Sequence, residues 1–223
     1  MQLTLGPVQY ETQFNFEIPD VDNVGLFLSG GLDSSALLMC IITELEQTNR
    51  SHIPINVWTC NKPPDPKNGA RMVQKIREEF NREIIYHPNY GVPEQHKAMG
   101  IIDLRSTKDA YDKFESIQMY LAGNNSYEQT PWKDVPRMQG ELKLPWQYPQ
   151  LPHIKYPFLN LLKLHLIDIY YKLEKEHLIK YTYSCSAQED VACGECFSCL
   201  EAATGFEMLG KIRPEYIQHE DIL

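Results

Sequence analysis

The chain has 223 residues, 43% hydrophobic and 23% charged, which excludes disordered, collagen-like and low-complexity classes and predicts one domain over 1–223. Its 21 Lys and Arg against 30 Asp and Glu leave a net charge of -9, so it offers no broad field for nucleic acid, though a local basic pocket for phosphate stays open. The longest apolar run, Ala36 to Ile42, is far too short to span a membrane, and residues 1–20 carry neither the basic flank nor the apolar core of an export signal; a cytoplasmic protein without membrane contact is expected.

Phe14, Phe16 and Ile18 alternate with polar residues and predict a half-exposed strand that Pro19 ends. Val24 to Leu28 is an apolar run fit for one buried strand. Ser29-Gly30-Gly31 follows, and then Leu37, Leu38, Ile41, Ile42 and Leu45 fall at helical spacing. The unit repeats: a strand over 53–60, a proline-rich loop, a helical stripe of Met72, Val73, Ile76 and Phe80, and a strand over 83–87. Alternating strands and amphipathic helices predict an α/β fold, a parallel sheet with helices on both faces. Further on, a helix over 107–116 and a strand over 117–122 are expected. Residues 124–157 hold six prolines and little periodicity and read as a long irregular excursion. Asn160 is expected to cap a helix that runs to about His177.

The segment Leu28-Ser29-Gly30-Gly31-Leu32-Asp33-Ser34-Ser35 joins an apolar strand to a helix. Its glycines allow close backbone approach to an anion, the helix start supplies free N–H groups, and Ser29, Ser34 and Ser35 add hydroxyls. Asp33 suits a helix start and could hold Mg²⁺ between phosphates. The lysine of the Walker loop is absent. A tight strand-to-helix turn with Asp33 as cap is the plain alternative.

Cys185, Cys193, Cys196 and Cys199 follow the pattern C-x7-C-x2-C-x2-C, with Gly194 able to turn the chain between two of them. Four thiolates at this spacing describe a closed structural zinc site over 185–210; an iron–sulfur cluster and buried free thiols are the alternatives. Cys40 lies on an apolar helical stripe and Cys60 at a strand end, and both read as core. His87, His96, His153, His165 and His177 lack ligand spacing. Glu44, Glu46, Glu78 and Glu79 read as solvated helix faces. Asn124, Asn125 and Ser126 follow a predicted strand end, as pocket residues or as a polar turn.

The glycine loop resembles the S-G-G-x-D-S loop of the PP-loop ATP pyrophosphatase superfamily, whose fold is that of the adenine nucleotide α-hydrolases. With Thr182-Tyr183-Ser184-Cys185, Cys193-Gly194-Glu195-Cys196-Phe197-Ser198-Cys199 and Gly205-Phe206 added, the chain resembles the 7-cyano-7-deazaguanine synthase family of queuosine biosynthesis. Pro157-Phe158-Leu159 followed by Lys163 also looks like that family's Pro-Leu segment with its lysine. The resemblance covers 24–60 and 157–206. It implies an ATP- and Mg²⁺-dependent carbon–nitrogen ligase that turns 7-carboxy-7-deazaguanine and ammonia into the nitrile or its amide. It implies ATP phosphates held by 28–35, with Asp33 and Ser34 at the chemistry and Lys163 reaching phosphate or the acyl-adenylate, zinc on the four cysteines, and a homodimer. A solvated helix position is the alternative for Lys163. The family's F-V-P-G-R-N and D-Y-G-Q stretches and its arginine after the last cysteine are missing; Ile102 to Ser106, Asn61 to Pro64 and Leu200 to Ala203 stand in their regions. Two rival functions are a tRNA-thiolating or other sulfur-transfer enzyme and a non-catalytic nucleotide-binding paralogue.

Overall fold

Five short parallel strands form the central sheet of the computed structural model, which describes residues 1–59, 68–87, 118–120, 154–185 and 192–215. They are β3 (Val24–Phe27), β4 (Ile55–Trp58), β5 (Ile85–His87), β6 (Gln118–Tyr120) and β7 (Ile154–Lys155). The order is β5-β4-β3-β6-β7, with Phe27 opposite Trp58 and Leu26 opposite both Val57 and Tyr120. Every residue of β3 and β4 is buried, so both faces there are covered. Continuous apolar runs, rather than alternation, are what such strands need. From β3 the chain steps through β4 to β5 on one side, whereas β6 lies on the other side of β3. The carboxyl end of β3 is therefore the topological switch point, the place where open α/β sheets bind ligands. The glycine loop starts there.

Helix α1 (Leu32–Gln47) buries Leu37, Leu38, Ile41, Ile42 and Leu45, the stripe expected from the sequence. It starts two residues before Ser34, because the backbone turns helical directly after Gly31. Asn49 at φ 56° ends it; Asn tolerates this left-handed conformation better than most residues. Helix α2 (Asn68–Phe80) buries Met72, Val73 and Ile76. Two right-handed crossovers in one direction put α1 and α2 on one face, and they touch. Helix α3 (Lys163–Lys172) packs on α1, and α4 (Phe197–Met208) packs on α3.

The sequence places this last part of the chain less well. Asn160 lies in a turn, and Leu162 precedes the first helical residue of α3. The helix stops at Leu173, where Glu174 takes φ 58°, and a 3₁₀ segment, Glu176–Tyr181, replaces its expected final turns. Within the supposed irregular excursion, β7 adds a strand next to β6. The helix expected over 107–116, most of the excursion, Asn124 to Ser126, Cys60, His96 and His153 lie outside the described residues.

A two-stranded antiparallel sheet, β1 (Gln2–Leu5) and β2 (Thr12–Asn15), stands apart from the main one. Phe14, Phe16 and Ile18 are buried as their alternation requires; β2 itself ends at Asn15, and the Phe16 N–H still donates to the Met1 carbonyl at 2.9 Å. β1 has too short a pattern to announce itself in the sequence. The hairpin is fixed to the turn before α3 and to α3 itself by three contacts. Phe14 packs on Phe158 with ring centroids 5.6 Å apart, the Gly6 N–H donates to Asp168 Oδ2 at 2.8 Å, and His165 Nε2 lies 2.7 Å from the Tyr10 carbonyl. Glu44 corrects its sequence reading: it is buried, pairs with the Met1 amino group and lies 3.9 Å from Arg50. Glu46 and Glu78 are exposed as expected, while Glu79 holds Lys175 and His177, each at 2.7 Å, and ties α2 to the 3₁₀ segment. Cys40 is core, and burial pushes its thiol up.

His165 accepts the Leu162 N–H at Nδ1, 2.9 Å away, so Nε2 carries the proton given to Tyr10. Burial lowers its pKa despite the Tyr10 carbonyl and Asp168 nearby. The unfolded chain, with an ordinary histidine, therefore takes up a proton first as pH falls, and the contribution is lost on going down from about 6.5. The stability gap between wild type and His165→Gln, measured by urea unfolding, should be largest near pH 7 and shrink towards pH 5. A gap constant across that window would show that His165 is not held neutral.

Candidate functional site

Gly30 takes φ 76°, and a Cβ there would lie 2.6 Å from Asn68 Nδ2. Only glycine fits this bend and this approach. The loop then builds its own hydroxyl network. Ser34 Oγ accepts the Ser29 N–H at 3.2 Å and lies 3.1 Å from Ser29 Oγ, and it donates to the Gly31 carbonyl at 3.3 Å. The Gly31 N–H donates to Ser29 Oγ at 3.3 Å. Ser34 and Ser35 are buried, and the Ser35 hydroxyl has no partner among the described residues; Ser29 is exposed. Leu28 and Leu32 are core, Leu28 donating its N–H to the Trp58 carbonyl at 2.9 Å. The face of the loop open to a ligand is thus made by Ser29 and Asp33, not by Ser35.

Lys163 comes to this face from the first turn of α3. Its Nζ lies 2.5 and 2.6 Å from the two Asp33 oxygens and 3.0 Å from Glu201 Oε2. The lysine side chain is 8% exposed, which rules out the solvated-helix alternative and leaves a buried ammonium between two carboxylates. Glu201 has no signal in the sequence beyond its place two residues after a cysteine. Asn68, likewise missed, opens α2 and spans two segments: its Nδ2 donates to the Tyr183 carbonyl at 3.0 Å and faces the Ser29 carbonyl at 3.4 Å. A helix-start residue after a proline loop was the available clue.

The stretch before Cys185 is bonded directly to the loop. The Tyr183 N–H donates to the Gly30 carbonyl at 3.1 Å, and Ser184 Oγ accepts the Leu32 N–H at 3.1 Å. On the next strands, His87 stacks on Trp58 with centroids 4.7 Å apart and bonds Asn56 Oδ1 at 3.0 Å; burial holds its pKa below the ordinary range.

The four cysteine sulfurs lie within 4.8 Å of one another, and those of Cys185 and Cys196 are 3.9 Å apart. Metal–sulfur bonds of about 2.3 Å separate tetrahedral sulfurs by about 3.8 Å, so the set can hold one metal ion. The Cys196 N–H points at Cys193 Sγ at 3.2 Å, and the Cys193 N–H at Cys185 Sγ at 3.5 Å, donors that suit thiolates. Gly194 turns the knuckle at φ 75° in open space. Cys185 and Cys199 are buried against Tyr183, and Cys193 and Cys196 are partly exposed.

Comparison with known proteins places these features. The family model "Queuosine biosynthesis protein QueC" matches residues 137–210, which include α3 and the knuckle. A 7-cyano-7-deazaguanine synthase from Campylobacter jejuni subsp. jejuni is 40% identical over 58 residues, 26% of this chain and 25% of that protein. The same enzyme from Campylobacter jejuni subsp. doylei is 40% identical over 57 residues, with the same shares. The chain thus matches about a quarter of the length of these relatives. The NMN synthetase of Francisella tularensis shares the fold, with a TM-score of 0.51 and 14% identity over 86% of this chain and 79% of that one. No helix among the described residues is long and apolar enough to cross a membrane.

The Gly30 bend yields a direct test. Gly30→Ala places a side chain in the left-handed region and drives its Cβ into Asn68, 2.6 Å away. The strain alone is worth about 1–3 kcal/mol. Denaturant unfolding should show a loss of at least that size, and Gly31→Ala, at φ -75° with its nearest contact at 3.1 Å, should lose less.

Proposed function

We propose that this chain is an ATP-dependent carbon–nitrogen ligase that adenylates a carboxylate and delivers ammonia to it, with 7-carboxy-7-deazaguanine as the acid. The observation that carries the reading is Lys163. A buried ammonium is fixed at the open face of a glycine loop, at the switch point of a parallel sheet, in a chain whose C-terminal third matches the queuosine family. The partial likeness to named 7-cyano-7-deazaguanine synthases supports the choice of acid.

In this reading the loop from Leu28 to Ser35 receives the phosphates of ATP. Its backbone and the exposed Ser29 approach the anion, and the α1 N-terminus lends its dipole. The carboxylate oxygen of the acid attacks the α-phosphorus, and the bond to the bridging oxygen of pyrophosphate breaks. Charge grows on the departing pyrophosphate, and the largely buried Lys163 ammonium is placed to stabilise it. Asp33 is the group available to hold Mg²⁺ against the phosphates: it is a carboxylate with its side chain 30% exposed, beside the loop. Ammonia then adds to the acyl carbon, AMP leaves, the nitrogen gives up one proton, and the amide remains. A second ATP adenylates the amide oxygen with release of pyrophosphate; AMP then departs with that oxygen as the nitrogen gives up its two protons, and the nitrile remains. Ser34 keeps the loop in shape through Ser29 and Gly31.

Zinc fits the cysteine set by donor chemistry: four thiolates, no open position and no redox demand. Its role is structural, to close the turn from Cys185 to Cys199. Purified protein should contain one zinc per chain by elemental analysis. Cys196→Ser should lose that metal and lower the first melting transition in calorimetry. Stoichiometric iron with absorbance near 400 nm would favour a sulfur-transfer enzyme instead.

Asp33→Asn should abolish AMP formation while the far-ultraviolet circular dichroism stays that of the wild type. The same assay, run with a panel of acids plus ammonia, decides the substrate. Because a pocket that pairs the polar edge of a heterocycle rejects analogues lacking it, the true acid should stand out by large rate ratios. Strong stimulation by an unrelated carboxylate, and none by the deazaguanine acid, would keep the adenylating chemistry and remove the named substrate.

A further inference from the structure

We propose that Glu201 is a positioning residue that keeps Lys163 at the loop and so leaves Asp33 available to the divalent cation of the nucleotide; the inference rests on the nucleotide reading above and adds a residue to it. Lys163 serves two carboxylates of unequal accessibility. The Asp33 side chain is 30% exposed, and that of Glu201 is 4% exposed. An incoming cation can reach the first and not the second. If Lys163 had Asp33 as its sole charged partner, metal binding would have to break that pair and strand the ammonium in a buried place, which is costly. With Glu201 at 3.0 Å, the ammonium keeps a carboxylate when Asp33 turns to the cation. The exposed carboxylate is the exchangeable one, and the buried carboxylate holds the lysine throughout.

The local packing serves this placement. Glu201 and Gly205 are one turn apart on α4, on the face towards α3. A Cβ at Gly205 would lie 2.7 Å from Ile167 Cδ1 and 3.2 Å from Lys163 Cγ. The glycine lets α4 approach closely enough for Glu201 to reach Nζ. Asp33 and Glu201 set two carboxylates around one ammonium, an arrangement that favours a divalent cation over bare phosphate.

Removing the Glu201 charge should therefore have opposite effects on the two ligands. Glu201→Gln should raise the Mg²⁺ concentration that half-saturates ATP binding by roughly tenfold, the effect of one unit charge withdrawn near a divalent cation in partly solvated surroundings. It should leave ATP binding in EDTA equal to or tighter than in wild type. Isothermal titration of the full chain with ATP, at graded Mg²⁺ and in EDTA, reads both. Glu201→Met makes the same charge change with a side chain suited to burial, so either folded variant decides. Glu201→Asp, which keeps the charge, should restore the Mg²⁺ dependence towards wild type. Equal weakening with and without Mg²⁺, or a lowered melting temperature with neither titration moved, would make Glu201 a structural residue and overturn the proposal. Wild type that binds no ATP at any Mg²⁺ concentration would overturn the nucleotide reading, and this inference with it.

Discussion

The turn from β3 into α1 cannot satisfy its own backbone, and the rest of the described structure is arranged around that fact. Within four residues the chain reverses from a buried strand into a buried helix, leaving the Ser29 and Gly30 carbonyls and the Leu32 N–H to find partners elsewhere. Their partners come from two distant segments: Asn68 at the start of α2, and Tyr183 with Ser184 before the cysteine knuckle. Unpaired groups at such depth would each cost about 1–3 kcal/mol. The Tyr170 hydroxyl adds a further bond from α3, donating to the Leu32 carbonyl at 2.8 Å. The loop is thus a junction where β3, α1, α2, α3 and the knuckle segment meet.

That arrangement explains which parts were legible in the sequence. β3, α1, β4, α2 and β5 follow from short-range periodicity, because apolar spacing and glycine punctuation are local properties. The loop and the cysteine set were legible for the same reason: each is compact in sequence. The partners of the loop were not, since Asn68, Ser184 and Glu201 owe their importance to contacts with residues 39, 152 and 38 positions away in the sequence, and no local pattern marks them. Glu44 misled for a related reason. A glutamate on a helix is usually solvated, but α1 is buried on nearly every side, so its carboxylate needed a buried cation and found the Met1 amino group. The end of α3 misled because apolar residues continue past Leu173 at spacings that suit a helix, while the backbone turns at Glu174 into 3₁₀ geometry.

The same junction bears on the acidic character of the chain. A net charge of -9 is a poor background for a polyanionic ligand. At the loop, the Lys163 ammonium is held in a buried place between Asp33 and Glu201. A charge at this depth acts through a lower effective dielectric than a surface lysine and is less screened by salt, so its influence on a phosphate is larger and shorter in range. Local backbone N–H groups and the α1 dipole act over the same few ångströms. Under the proposed nucleotide reading, selectivity for a ligand that fits this geometry, rather than for anions in general, would be the consequence.

The cysteine knuckle enters the same logic from both of its ends. Ser184, which receives the Leu32 N–H, immediately precedes Cys185; Glu201, which holds Lys163, follows Cys199 by two residues. A metal ion held by the four sulfurs would close the segment between those cysteines and would fix the directions in which both flanks leave it. The free energy of metal binding is then folding free energy for the flanks as well, because the site does not exist in the open chain. Without that closure, Tyr183 and Ser184 would have to order themselves for three hydrogen bonds, two to the loop and one to Asn68, each worth about 1 kcal/mol net, against an entropy cost of about 1–2 kcal/mol for each residue fixed. That balance is close to even. A knuckle closed by a metal would tip it, and the shape of the glycine loop would then depend in part on a site that lies outside the loop.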